Sequence, residues 1–191
     1  MLPKLPEIAH DRGSNEANCG SHSFVSRSSP SAHHMQCMDV TTLEQLVREI
    51  VKKSNDLKNK HTSEKNAPVN YACIFAQNKE QYGKLLEAAQ KIGNVIEETP
   101  TGPLFRIRPL STVAGNLRLL KIRKPDSTRP ELGDADFTVE NYSEFKKKYL
   151  SKTGFKLIPR ENFEMIELVD SQFNVRAYFS NPPLDKQLRI K

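Results

Sequence analysis

The chain has 191 residues, 37% of them apolar and 27% charged, with a mean hydropathy of -0.62 and a formal net charge of +6. That length suits one ordinary core of ~100 to 150 residues with an appendage. No apolar run approaches the ~20 residues of a spanning helix and no signal-like stretch opens the sequence, which predicts a cytoplasmic protein without a membrane span.

Residues 1–37 are rich in Ser, Pro, Asn, Gly and His and hold no period of 2 or 3.6. They are expected to form a disordered tail, with Met35 or Met38 as a candidate translation start. The His33-His34 doublet has no converging partners there and reads as incidental. Cys19, Cys37 and Cys73 are odd in number and widely spaced, so they imply neither a disulfide framework nor a CxxC metal site, and Cys73 reads as a small buried residue. The charges of the tail cancel, which leaves the whole excess of +6 to residues 38–191.

From Thr41 the apolar residues Leu43, Leu46, Val47, Ile50 and Val51 recur at helical spacing, and Thr41 followed by Glu44 reads as a capping box. This predicts one amphipathic helix ending near Lys53, then a polar linker from Ser54 to Pro68, so residues 38–67 are helix and linker and 68–191 the main domain. Packing of the helix on the domain is the default. Pairing with a second copy as a homodimer and lying on an acidic membrane surface stay open.

Beyond Pro68 the sequence repeats a pattern. Tyr71 to Ala76 is an apolar run, Asn78 caps a helix whose buried face is Tyr82, Leu85, Leu86 and Ala89, and Gly93 closes it. Asp136 to Val139 leads in the same way to Asn141, with Glu144 at the capping-box position, a face of Tyr142, Phe145 and Tyr149, and Gly154. Strand candidates follow each helix: Asn94 to Glu98, Leu104 to Arg108 and Leu117 to Arg123, then Phe155 to Ile158, Phe163 to Val169 and Val175 to Phe179. The predicted class is α+β, two tandem βαβββ halves forming a curved mixed sheet.

Two consecutive βαβββ halves, most clearly the run from Asp134 through Tyr142 to Leu150, Gly154, Phe163 to Asp170 and Asn174 to Phe179, resemble the vicinal oxygen chelate superfamily of glyoxalases, bleomycin-resistance proteins and extradiol dioxygenases. The resemblance covers residues 69–181 and is a pattern of strands without a diagnostic signature. It implies a ligand on the concave face of the sheet and, in metal-dependent members, a divalent ion held by His and Glu residues on the first and fourth strands of each half. The matching positions here are Tyr71 and Cys73, Lys121 and Arg123, Asp134 and Asp136, and Arg176 and Tyr178, and all five histidines lie at or before His61. No metal and no cofactor are expected. Asp134 and Asp136 read either as a weak oxygen pair or, more commonly, as a solvated strand end.

The missing histidine also disfavours Ser-His and Cys-His nucleophilic mechanisms, and neither a GxxxxGK[ST] nor a GxGxxG loop occurs. Glu164 and Glu167 fall on opposite faces of a strand and read as surface residues. Between Arg106 and Arg129 seven cations oppose only Asp126. The leading expectation is therefore a metal-independent protein that binds a small anionic molecule in a cleft lined by Arg106, Arg108, Lys121, Arg123 and Arg176, with catalysis left open. A nucleic-acid or acidic-partner module using the same strands and a metal-dependent lyase or dioxygenase are the alternatives. Exposed aromatics for base stacking are few; the adjacent Tyr178 and Phe179 face opposite ways, which leaves one of them free to face solvent.

Overall fold

Asp39, rather than Thr41, opens the first helix in this computed structural model, which describes residues 38–189. The expected tail and its His33-His34 pair lie outside them. The Asp39 carboxylate accepts from the Thr42 amide at 2.7 Å, the usual way an N-cap satisfies a first-turn donor. The helix α1 (Val40–His61) then runs about two turns past Lys53. The extension is carried by Leu57 together with Ser54 and Lys58, all buried and all in phase with Ile50 and Val51. Ser54 is small enough to meet the sheet and donates its hydroxyl to the Arg176 carbonyl at 2.9 Å. Lys58 turns its ammonium back onto the Glu64 and Lys65 carbonyls and the Asn59 side chain, which neutralises the helix end that it covers. Polar side chains thus occupy core positions, and a hydrophobic pattern stops short of them.

The elements that follow are β1 (Val69–Phe75), α2 (Lys79–Gln90), β2 (Gly93–Thr99), β3 (Gly102–Thr112) and β4 (Gly115–Arg123), then β5 (Gly133–Phe137), α3 (Tyr142–Tyr149), β6 (Phe155–Pro159), β7 (Glu164–Leu168) and β8 (Val175–Asn181), with a short α4 (Leu184–Gln187) last. Two βαβββ halves are present. Asn78 and Asn141 cap their helices as the sequence indicates, accepting from the Gln81 and Glu144 amides. The strand β5 begins at Gly133 rather than at Asp136, because the ladder with β1 is formed by residues 133–137 and the Thr138 amide leaves it to bond Pro68.

All eight strands join one curved, unclosed sheet in the order β2-β3-β4-β1-β5-β8-β7-β6. Each half contributes four strands with its first strand parallel to its fourth, and the halves meet where β1 and β5 pair antiparallel. At that seam Gly133 brings the two backbones close: a Cβ there would meet the Cys73 carbonyl. Alternate residues of every strand face the helices. Ala72, Ile74, Leu120, Ile122, Ala135, Phe137, Ala177 and Phe179 pack under α1, α2 and α3 with Phe145 and Tyr149. Phe145 stands 4.3 Å from Phe179 and 4.8 Å from Tyr149, so aromatic contacts join α3 to the sheet. The helix α1 packs across β1, β5 and β8 and so covers both halves, the default reading of its apolar stripe. Among the described residues no helix is long and apolar enough to cross a membrane.

Candidate ligand-binding site

Among the described residues the opposite face of the sheet carries no large helix. Strand alternation and register place Tyr71, Cys73 and Phe75 on it from β1, Lys121 and Arg123 from β4, Asp134 and Asp136 from β5, and Arg176, Tyr178 and Ser180 from β8. Cys73 lies between Lys121 and Asp134, and Asp134 beside Arg176; Tyr71 pairs with Asp136, which pairs with Tyr178. The first and fourth strands of both halves therefore converge on one central patch.

The carboxylates at its centre are buried, contrary to the solvated strand end expected for Asp134 and Asp136. Their strand lies mid-sheet, where neighbours on both sides exclude water, and a five-residue run gives no hint of that. Burial pushes the Asp134 carboxyl up to about 8, with the Asp136 charge adding to it and Arg123, Arg129 and Lys121 opposing. Its Oδ1 has no hydrogen-bond partner among the described residues. Burial raises Asp136 to about 6, held back by the Ser180 amide at 3.1 Å and the Ser180 hydroxyl. Burial also drives the Cys73 thiol far up, with Asp134 assisting, so at neutral pH this free cysteine is a thiol and a poor nucleophile.

On the β8 side a charge network fills the face. Arg176 donates to Glu131 Oε1 at 2.6 and 2.9 Å and to Glu167 Oε1 at 2.6 Å, and the Tyr178 hydroxyl donates to the same Glu167 oxygen at 2.5 Å. Arg129 approaches Glu167 and Tyr178 at 3.4 Å each. Glu167 is thus no surface residue: it is 7% exposed. Burial alone would raise its carboxyl, but the bonds from Tyr178 and Arg176 outweigh it and hold the group below its ordinary value. Tyr178 and Phe179 are both buried, on opposite faces, so neither is an exposed stacking platform. Glu164 pairs instead with Lys146 of α3 at 2.8 Å.

A cavity of about 410 Å3 opens at the other end of the patch. Tyr71, Lys121, Asp136, Ser180, Thr99 and Glu97 supply its polar lining, and Leu104, Phe163, Met165, Leu184 and Leu188 most of its apolar lining. Lys121 reaches Thr99 Oγ1 at 2.7 Å, and burial of its stem lowers the ammonium. Of the five cations expected to bind a ligand, Lys121 lines this cavity. Arg123 stacks on the Phe75 ring, pairs with Asp126 at 3.0 Å and borders a separate depression with Pro100, Thr101 and Lys124. Arg176 is engaged by Glu131 and Glu167. Arg106 is exposed on β3. Arg108 is also exposed, beyond a register shift in that strand, and pairs with Glu44 of α1 at 2.7 Å. The cavity's apolar wall went unseen in the sequence because Phe163, Met165 and Leu188 come from segments with no shared pattern.

The donor set does not fit a divalent ion. On the fourth strands of the two halves stand Lys121, Arg123 and Arg176, which repel a cation; Asp136 already accepts from Ser180; and Asp134 holds a proton at neutral pH. Among the described residues no group of three or more His, Cys, Asp and Glu side chains could hold a metal.

The two βαβββ halves meet edge to edge through their first strands. A solved structure described as protein EC4020, from structural genomics, is similar over 77% of this chain and 93% of its own, with a TM-score of 0.58 and 9% identity, a likeness of fold alone. A glyoxalase/bleomycin resistance protein/dioxygenase superfamily member from Vibrio splendidus covers 60% of this chain and 97% of its own, with a TM-score of 0.35 and 7% identity. No protein-family model and no curated protein matches the sequence.

Proposed function

We propose that this protein binds a small amphipathic anion, such as an aliphatic or aromatic carboxylate, in the open-face cavity without a metal. The observation that carries this reading is the pairing of one partly desolvated ammonium, Lys121, with an apolar wall of Leu104, Phe163, Met165 and Leu188 in a single cavity. An ammonium in a low-dielectric setting holds a carboxylate more strongly than one in water, and the wall rewards burial of the rest of the molecule. The compensated arginines favour a monoanion over a polyanion, since Arg176, Arg123 and Arg108 already face carboxylates.

Thermal shift of the full chain tests this. Octanoate or phenylacetate at a hundred times its Kd is expected to stabilise by about 2.7 kcal/mol, a rise of roughly 8 °C. Lys121→Met is expected to abolish the rise, and divalent metals to give none. The competing nucleic-acid module would give no carboxylate shift and would instead bind oligonucleotides with an affinity that falls steeply with salt.

A further inference from the structure

Beyond β8 the chain turns back over the open face. After Pro183 the helix α4 lies against β1, where Asn70 Nδ2 donates to Asp185 Oδ1 at 2.6 Å and the Asp185 amide donates to Asn70 Oδ1 at 3.3 Å. Leu184, Gln187 and Leu188 thereby line the cavity whose floor is Tyr71, Lys121 and Asp136. The attachment is slight. The helix has four residues, no side-chain cap and no fully buried residue, whereas the strands beneath it are bonded on both sides. So short a helix has no stability of its own, and its place depends on those two hydrogen bonds and on half-buried residues, Pro183, Leu184, Asp185, Gln187 and Leu188, none of them fully enclosed.

We infer that the segment from Pro183 to Arg189 is a displaceable lid that closes the cleft over its ligand, with Leu184 and Leu188 forming the wall against the ligand's apolar part. The inference rests on the cavity being a ligand site, but its mechanical content does not, because Lys121 reports on access directly. In the closed arrangement the leucines stand between solvent and the apolar interior, and release of the Asn70 to Asp185 contact opens a route to the ammonium.

The test is covalent labelling of lysines by trinitrobenzenesulfonate, itself an aromatic anion, followed residue by residue by peptide mass spectrometry with the exposed Lys147 as internal reference. Loss of the hydrogen bond from Asn70 Nδ2 to the Asp185 carboxylate in Asp185→Ala, which keeps the bond from the backbone amide, is expected to speed Lys121 labelling about five-fold relative to Lys147. Truncation after Pro182 is expected to speed it further. Asp185→Ala retains the residues of the sheet and the leucines, so it remains informative if the truncated chain does not fold. Equal Lys121 rates in the full chain and a folded Asp185→Ala variant would overturn the lid. Protection by octanoate is read separately: a labelling contrast without protection supports the lid and counts against the ligand reading, and protection without a contrast does the reverse.

Discussion

Replacing Glu167 by alanine is expected to destabilise the protein by about 3 to 5 kcal/mol, the largest loss from any single polar side chain on the open face. One buried oxygen of Glu167 accepts from Arg176 and Tyr178 and faces Arg129, so its removal leaves the Arg129 guanidinium and the Tyr178 phenol without their carboxylate in a region with little water and takes one of two carboxylates from Arg176, which keeps Glu131. The cost is not the worth of the ion pairs. It is the penalty of leaving their partners unpaired, which exceeds what the intact network contributes over an apolar replacement. Urea denaturation at pH 7 measures it, and a loss under about 1 kcal/mol would show that water reaches the network freely. Glu164→Ala, which breaks the half-exposed pair with Lys146, supplies the contrast and is expected to cost about 1 kcal/mol or less.

The second large effect has the opposite sign. Asp134→Asn is expected to stabilise the protein at alkaline pH by about 3 kcal/mol, because asparagine keeps the shape of the protonated acid without the charge. The folded Asp134 holds its proton up to about 8, well above its value in the unfolded chain. Between those two values the folded state binds the extra proton, so stability falls as pH rises, and the loss is complete above the folded value. Asp136 acts in the same direction up to about 6. Stability curves at pH 5, 7 and 9 check the claim: the gain from the substitution grows with pH through that window. A gain independent of pH would mean that Asp134 is already ionised in the fold.

Much of the fold could be read from the sequence, for identifiable reasons. The two capped helices and the short apolar runs around them carry local signals in Asn78, Asn141, Gly93 and Gly154, and the repetition of that order gives the two halves. What failed involved polar residues in buried places. Ser54 and Lys58 extend α1 although their chemistry reads as solvent-facing, and Asp134, Asp136 and Glu167 are buried because their strands lie inside a sheet whose order no local pattern reveals. The candidate site was legible only in part. The rule of alternation placed Lys121, Arg123 and Arg176 on one face, but the carboxylates that engage the arginines come from Asp126, Glu131 and Glu167, of which only Asp126 lies within the basic run. Counting cations along a sequence therefore overstated the positive character of the cleft, and Lys121 is the cation of the five that borders the cavity.

Binding of an amphipathic anion to Lys121 on the open face is measured by titrating octanoate into isotope-labelled full-length protein and following the amide resonances. Changes are expected to concentrate at Tyr71, Thr99, Lys121, Asp136, Met165 and Leu188 and to be lost in Lys121→Met. Changes confined to the exposed arginines Arg106 and Arg108, or none at saturating octanoate, would contradict it.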